Sequence, residues 1–65
     1  MRPVEGADQV WYCSRHQIYA QLVEPEAASA ARRGDEWTGY DGVAGVIVGL
    51  GDERQGGRIL YFREQ

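Results

Sequence analysis

The longest apolar run of this sequence reads Val43-Ala44-Gly45-Val46-Ile47-Val48-Gly49-Leu50. Its β-branched residues and glycines favour a strand over a helix. Alternation places Ala44, Val46, Val48 and Leu50 on one face of that strand, and Val43, Gly45, Ile47 and Gly49 on the other. Because both faces are apolar, the run predicts a central strand that is covered on both sides. Gly45 and Gly49 are expected to leave gaps over which an aromatic ring from a neighbouring strand can lie.

Three further segments have strand patterns, namely residues 9–13, 17–23 and 58–63. The first two are joined by a short polar turn and therefore predict a β-hairpin. The third alternates, with Leu60 and Phe62 on one face and Ile59 and Tyr61 on the other. A polar connection over residues 52–57 is expected to join it to the central strand, with Gly51, Gly56 and Gly57 as turn residues.

One helix is expected, over residues 24–34. Pro25 suits the first helical position and Glu26 the first turn, whereas Arg32 and Arg33 suit the last turn and Gly34 the position after it. Together the segments predict a small α+β domain over residues 1–65, with the order β-β-α-β-β. About four antiparallel strands would carry one short helix packed on one face, and residues 1–8 would form a loose N-terminal arm.

Composition restricts the classes of function. The chain has a net charge of −3, with seven arginines and no lysine, and it has one cysteine and one histidine. An acidic balance argues against non-specific nucleic-acid binding, and a single cysteine excludes a disulfide within the monomer. No apolar run approaches the ~20 residues of a membrane span. We therefore expect a cytoplasmic protein without membrane contact, and the exclusive use of arginine suggests a bacterial or phage gene.

No motif of catalysis or cofactor binding is complete. Gly49-Leu50-Gly51-Asp52-Glu53-Arg54 begins like a dinucleotide fingerprint, but it ends in arginine and precedes a strand instead of a helix. Cys13 and His16 lack the further Cys or His ligands of a zinc site. The carboxylates Asp35, Glu36 and Asp41 lie in an expected exposed loop, where nothing sets one apart as a general acid and another as a general base. The sequence thus predicts a protein that is not an enzyme and has no cofactor or metal.

An acidic, aromatic segment is the leading candidate for function. Its proposed partner-binding residues are Asp35, Glu36, Trp37, Tyr40 and Asp41. Tryptophan and tyrosine dominate interface hot spots, and carboxylates around them can steer a basic partner surface. The prediction is a non-enzymatic, acidic protein-binding module, such as an inhibitor or adaptor from a phage or mobile element. Anti-CRISPR or antirestriction action is one example. The alternative for Trp37 is that it folds back onto the sheet.

Two other classes of function stay open. Arg54, Arg58 and Arg63, with Tyr61, would suit a module that binds single-stranded nucleic acid through phosphate contact and stacking. The competing interpretation is that these arginines pair with neighbouring acids. A structural homo-oligomer is the remaining alternative, since strands that are apolar on both faces could close a homodimer.

Overall fold

A computed structural model describes all residues from 1 to 65 and contains one six-stranded antiparallel sheet. The strands are β1 (Arg2–Pro3), β2 (Val10–Cys13), β3 (Ile18–Val23), β4 (Glu36–Thr38), β5 (Ala44–Arg54) and β6 (Gly57–Glu64). Their order across the sheet is β1-β2-β3-β6-β5-β4. One helix, α1 (Pro25–Ala30), follows β3, and a 3₁₀ turn (Tyr40–Gly42) follows β4. The helix is far too short to cross a membrane.

The predicted antiparallel sheet with one short helix is confirmed, but the expected number of about four strands is wrong. Arg2 and Pro3, expected in a loose arm, pair with Tyr12 and Trp11 as an edge strand. At the other edge, residues 36–38 were expected in a loop and instead pair with β5. Both additional strands are very short. Strands of two or three residues carry too little periodicity to be recognised in a sequence, and pairing with a longer neighbour defines them.

Helix α1 is shorter than the expected 24–34. It ends at Ala30, and Ala31 is already extended with φ −79° and ψ 135°. Beyond it the backbone N–H of Gly34 donates to the carbonyl of Ile47, and the carbonyl of Asp35 accepts from the N–H of Ile47. These two hydrogen bonds draw the chain back to β5, so Arg32 and Arg33 lie in a turn and not in the helix.

Two irregularities in β5 overturn the expected alternation of the central run. Ile47 pairs with Phe62 but Gly49 pairs with Tyr61, so one residue, Val48, is inserted between the two pairs. A second residue is inserted between Leu50 and Glu53. A bulge moves every later side chain to the opposite face. Leu50 therefore packs against the core that contains Ile47, instead of sharing a face with Val46.

The core lies on the face of the sheet that α1 covers, which we call the helix face. Its buried residues are Val23, Ala28, Ile47, Leu60 and Phe62, and Leu60 and Phe62 are fully buried. We call the opposite side the open face. The register places Trp11, Ala20 and Tyr61 in one row there. Ala20 and Ile59 are buried on that side, whereas Trp11 and Tyr61 are only half-buried.

Aromatic rings do lie over glycines, but at other positions than expected. A Cβ at Gly39 would stand 2.5 Å from Cζ of Phe62, and a Cβ at Gly51 would stand 2.8 Å from Cε2 of Tyr61. Gly45 instead faces the backbone of Arg63, and Gly49 faces open space. Gly51 lies within β5 and not in the hairpin turn. Gly39 and Gly51 thus permit two aromatic rings to lie directly against the backbone, because glycine has no Cβ.

The β5–β6 hairpin turns at Gln55 and Gly56. Both have positive φ, 46° and 80°, as a two-residue type I′ turn requires. Arg54 and Gly57 form the last pair on either side of it. A tight turn at this point fixes the register of the two longest strands.

Candidate functional site

Four of the five proposed partner-binding residues fall on two adjoining elements. Glu36 and Trp37 belong to β4, Tyr40 and Asp41 to the 3₁₀ turn, and Asp35 precedes β4. All three carboxylate residues are exposed. Trp37 and Tyr40 are half-buried and pack against the core. The segment therefore presents its acids to solvent and directs its two aromatic rings toward the sheet.

Strand β4 has an open edge, because it is the last strand of the sheet. The carbonyl of Asp35 accepts a hydrogen bond from the backbone N–H of Ile47 at 2.9 Å. The backbone N–H of Gly39 donates to the carbonyl of Val43 at 2.7 Å. Backbone groups alternate in direction along a strand, so those of Glu36 and Thr38 point away from β5. Both residues are exposed. This edge can accept the backbone of a further extended segment.

Tyr40 is held in place by two residues of β3 on the helix face of the sheet. Its backbone N–H donates to the side-chain carbonyl of Gln21, on β3, at 3.0 Å. Its ring lies 5.6 Å from the ring of Tyr19, measured between centroids, and Tyr19 is stacked on Phe62 at 5.1 Å. The 3₁₀ turn therefore crosses the helix face and is anchored at both the backbone and the ring.

Tyr40 and Asp41 line a shallow depression of about 500 Å³ together with the connection between β1 and β2. That connection contributes Glu5 and Asp8, and Gln21 lies on the remaining side. We call this feature, defined by Glu5, Asp8, Gln21, Tyr40 and Asp41, the acidic depression. Glu5, Asp8 and Asp41 are all exposed. Three carboxylates beside one half-buried aromatic ring suit a basic side chain.

Asp41 adopts an unusual backbone conformation for a residue with a side chain. Its φ is 51°, in the left-handed region that aspartate tolerates better than most residues. Gly42 follows with φ 77°. This pair of positive φ values reverses the chain after Tyr40, so that Asp41 lies at the tip of the turn while Tyr40 packs inward.

Glu5, Asp8 and Gln21 are the members of this site that sequence reasoning missed. Glu5 and Asp8 lie within the expected N-terminal arm, and Gln21 lies within the expected strand over residues 17–23. They lie far from Tyr40 and Asp41 in the sequence, and no local pattern connects them. Their place in the site follows from the strand order, which carries the 3₁₀ turn across to β3.

Burial within the aromatic group around Tyr40 alters the chemistry of Tyr19. Desolvation, with smaller contributions from a side-chain hydrogen bond to Tyr40 and from the charge of Glu64, raises the pKa of Tyr19 to about 12. The rings of Tyr12 and Tyr19 are also in contact, at 4.7 Å between centroids. The Tyr19 hydroxyl therefore stays protonated and serves as a neutral hydrogen-bonding group beneath the site.

Trp37 carries a polar atom that has no partner. Its indole Nε1 is buried and makes no hydrogen bond. Trp37 pairs with Gly45 on the neighbouring strand β5, and its ring packs against the core. A buried N–H without an acceptor costs about 1–3 kcal/mol, which indicates that this ring is placed for packing and not for its donor.

The residues of the nucleic-acid alternative are not brought into one strip. Arg54 and Tyr61 line the same small cleft on the open face. Arg58 faces the other way and donates from Nε to the carbonyl of Gly51 at 2.8 Å. Arg63, near the far end of β6, donates to the carbonyl of His16 at 3.5 Å. The hydrogen bonds of Arg58 and Arg63 thus go to backbone carbonyls.

The cysteine and histidine of the sequence do not come together with other ligands. Cys13 is half-buried at the end of β2, and His16 is exposed in the following turn. No group of three or more His, Cys, Asp or Glu side chains is placed to share a metal ion. A groove of about 440 Å³ between α1 and the β5–β6 turn is lined mainly by polar and glycine residues.

No protein-family model, no curated protein and no solved structure matches this chain.

Proposed function

We propose that this protein is a non-enzymatic protein-binding module that captures a basic segment of a partner protein at the acidic depression. The observation that carries the proposal is the convergence of Glu5, Asp8 and Asp41 around Tyr40. Carboxylates from two distant parts of the chain share one concave surface with an aromatic ring. An arginine of the partner could pair with a carboxylate while its guanidinium plane contacts the ring of Tyr40.

The open edge of β4 supports the same proposal. An extended partner segment can add to a free sheet edge through main-chain hydrogen bonds, while its side chains enter neighbouring pockets. The outward backbone groups of Glu36 and Thr38 would supply those bonds. The 3₁₀ turn begins two residues after Thr38. A segment that lies along β4 would have Asp35 and Glu36 beside its own basic residues, while Tyr40 and Asp41 extend from the end of β4 over the helix face to β3.

The net charge of the chain favours one class of partner. A net charge of −3 and exposed acids at the site favour partners with a basic surface and speed their association at low salt. Proteins that handle nucleic acids have such surfaces. We extend the proposal to an inhibitor or adaptor encoded by a phage or mobile element, of which anti-CRISPR or antirestriction proteins are examples.

A defined peptide tests the proposal without knowledge of the natural partner. An extended arginine-containing peptide is titrated into the full chain while backbone amide NMR shifts are recorded. Shifts are expected at Asp8, Glu36, Tyr40 and Asp41. The variant Asp41→Arg should weaken binding by about tenfold or more, since one attraction becomes a repulsion.

Glu26→Arg is the matched control, because Glu26 is an exposed acid in the first turn of α1 and does not line the depression. It makes the same change in net charge and should leave most of the binding intact. Equal losses in the two variants would show attraction to net charge only and would contradict a defined site. Absence of any shift at low salt would contradict the proposal outright.

A further inference from the structure

One row of residues on the open face is apolar across five of the six strands. Cα pairing aligns Pro3 with Trp11, Trp11 with Ala20, Ala20 with Tyr61, and Tyr61 with Gly49. This row crosses five strands without a charged residue. Helix α1 packs on the other side, with Ala28 among the core residues. The row is therefore a continuous apolar band on the side of the sheet opposite α1, in which Ala20 is buried and Trp11 and Tyr61 are half-buried.

Residues on either side of this band are also apolar. Leu22 pairs with Ile59, Cys13 pairs with Ile18, and Val46 lies farther along β5. Ile59 and Ala20 are already buried, at 6% and 2% exposure, whereas the surrounding large side chains are half-buried. Met1, at 62% exposure, is the most exposed large apolar side chain and borders the same surface. Contiguous apolar surface of this kind marks an interaction site.

Charged groups at the border of the open face come in opposite signs. Asp52 and Arg54 line a cleft of about 240 Å³ with Trp11 and Tyr61. At the other end, Val46 pairs with both Glu36 and Arg63. Two acids and two arginines leave this surface with no net charge, although the chain as a whole carries −3. A basic partner would gain nothing from such a face, and a nucleic acid would gain little.

A second copy of the chain fits these features. In a two-fold dimer each surface meets itself, so residue i of one copy contacts residue j of the other and the reverse. Where an acid and an arginine lie side by side on this surface, the acid of one copy can therefore face the arginine of the other. We propose that the open face is the interface of a homodimer, in which two sheets pack face to face and Asp52 of each copy lies near Arg54 of the other.

The small size of the chain adds a reason for this association. A domain of ~60 residues buries only about 60% of its unfolded surface, and oligomerisation is one way in which such domains add stability. The interface is separate from the acidic depression, which lies on the helix face and at the β1–β2 connection. A dimer would therefore display two depressions and could bind repeated basic segments with increased avidity.

The experiment is sedimentation velocity of the full chain from low to high micromolar concentration. Three variants probe the predicted cross-pairs, namely Asp52→Arg, Arg54→Asp and the double variant that carries both changes. Each single variant places like charges opposite each other at two symmetric points and should weaken the dimer by about tenfold. The double variant restores opposite charges and should recover most of the affinity.

Glu53→Arg is the matched control. Glu53 neighbours Asp52 in sequence and is exposed, but it pairs with Arg58 and faces away from the cleft. It should leave the dimer unchanged. Circular dichroism verifies that each variant remains folded.

A chain that stays monomeric at high micromolar concentration would overturn the inference. So would a dimer that Asp52→Arg and Arg54→Asp leave intact, or one that Glu53→Arg weakens equally. The proposed peptide capture is measured separately, so failure of one proposal does not decide the other.

Discussion

The side-chain carbonyl of Gln21 accepts a hydrogen bond from the backbone N–H of Tyr40 at 3.0 Å. The two residues are separated by nineteen positions and by helix α1. Together with the contact between the rings of Tyr40 and Tyr19, this bond anchors the 3₁₀ turn over the helix face, where Tyr40 and Asp41 line the acidic depression with Glu5 and Asp8.

Gln21→Ala is expected to destabilise the protein by about 1–3 kcal/mol, because it leaves the partly buried N–H of Tyr40 without an acceptor. Chemical denaturation measures the loss. Gln21→Glu keeps an oxygen acceptor at the same place and should retain more of the stability. Gln65→Ala, at an exposed side chain, is the control and should change the free energy of unfolding by less than about 0.5 kcal/mol. An equal effect of Gln21→Ala and Gln65→Ala would contradict the assigned role.

Gly39→Ala is expected to destabilise the fold by about 1–3 kcal/mol. The new Cβ would lie 2.5 Å from Cζ of Phe62, whose side chain is fully buried and has no room to move. Gly49→Ala is the matched control, since a Cβ at Gly49 meets nothing within 4 Å. It should be neutral or stabilise by roughly 0.5–1 kcal/mol, because alanine restricts the unfolded chain. Thermal unfolding of the pair provides the comparison, and a reversed order would contradict the observed packing of Phe62 on Gly39.

Trp37→Phe is expected to be close to neutral, within about 1 kcal/mol. It removes a buried indole N–H that has no acceptor, which offsets the smaller volume of phenylalanine. Trp37→Ala should cost about 3 kcal/mol or more, because it leaves a void against the core. Urea titration followed by far-ultraviolet circular dichroism measures both. A large loss in Trp37→Phe would indicate that Nε1 has a partner in solution.

Stability is expected to fall as the pH rises from about 10 to about 12. Burial raises the pKa of Tyr19 to about 12, from the ordinary tyrosine value of about 10. The folded state therefore holds the phenolic proton more tightly than the unfolded state, and the contribution is complete below pH 10 and is lost as the pH rises through 12. Tyr19→Phe should show a smaller decline over the same range. Denaturant titrations at several pH values compare the two proteins, and parallel declines would contradict burial as the cause.

The sequence predicted the segments whose patterns are long enough to be read locally. The β2–β3 hairpin, the central strand and the last strand follow from β-branched residues and alternation, and Pro25 correctly begins the helix. The end of the helix could not be predicted in this way. Arg32, Arg33 and Gly34 fit a helix terminus, but the hydrogen bonds of Gly34 and Asp35 to Ile47 are long-range and outweigh that local preference.

The candidate site was predicted only in part. The acidic segment from Asp35 to Asp41 can be recognised in the sequence, because aromatic and acidic residues are concentrated there. Its function as a partner-binding segment stays a prediction. The inward packing of Trp37 and Tyr40 depends on which strand lies beneath them, and strand order is not encoded in any local pattern.

The sequence by itself determined the class of fold, the location of the main strands and the negative charge, because propensity, alternation and composition act over a few residues. Only the tertiary structure decided which face each side chain occupies after the two bulges in β5, since one inserted residue reverses the alternation. It also decided that Glu5 and Asp8 line one depression with Asp41, and that the apolar band from Pro3 to Gly49 lies on the side of the sheet opposite α1. Both follow from the order β1-β2-β3-β6-β5-β4, which is set by how the whole chain buries one core.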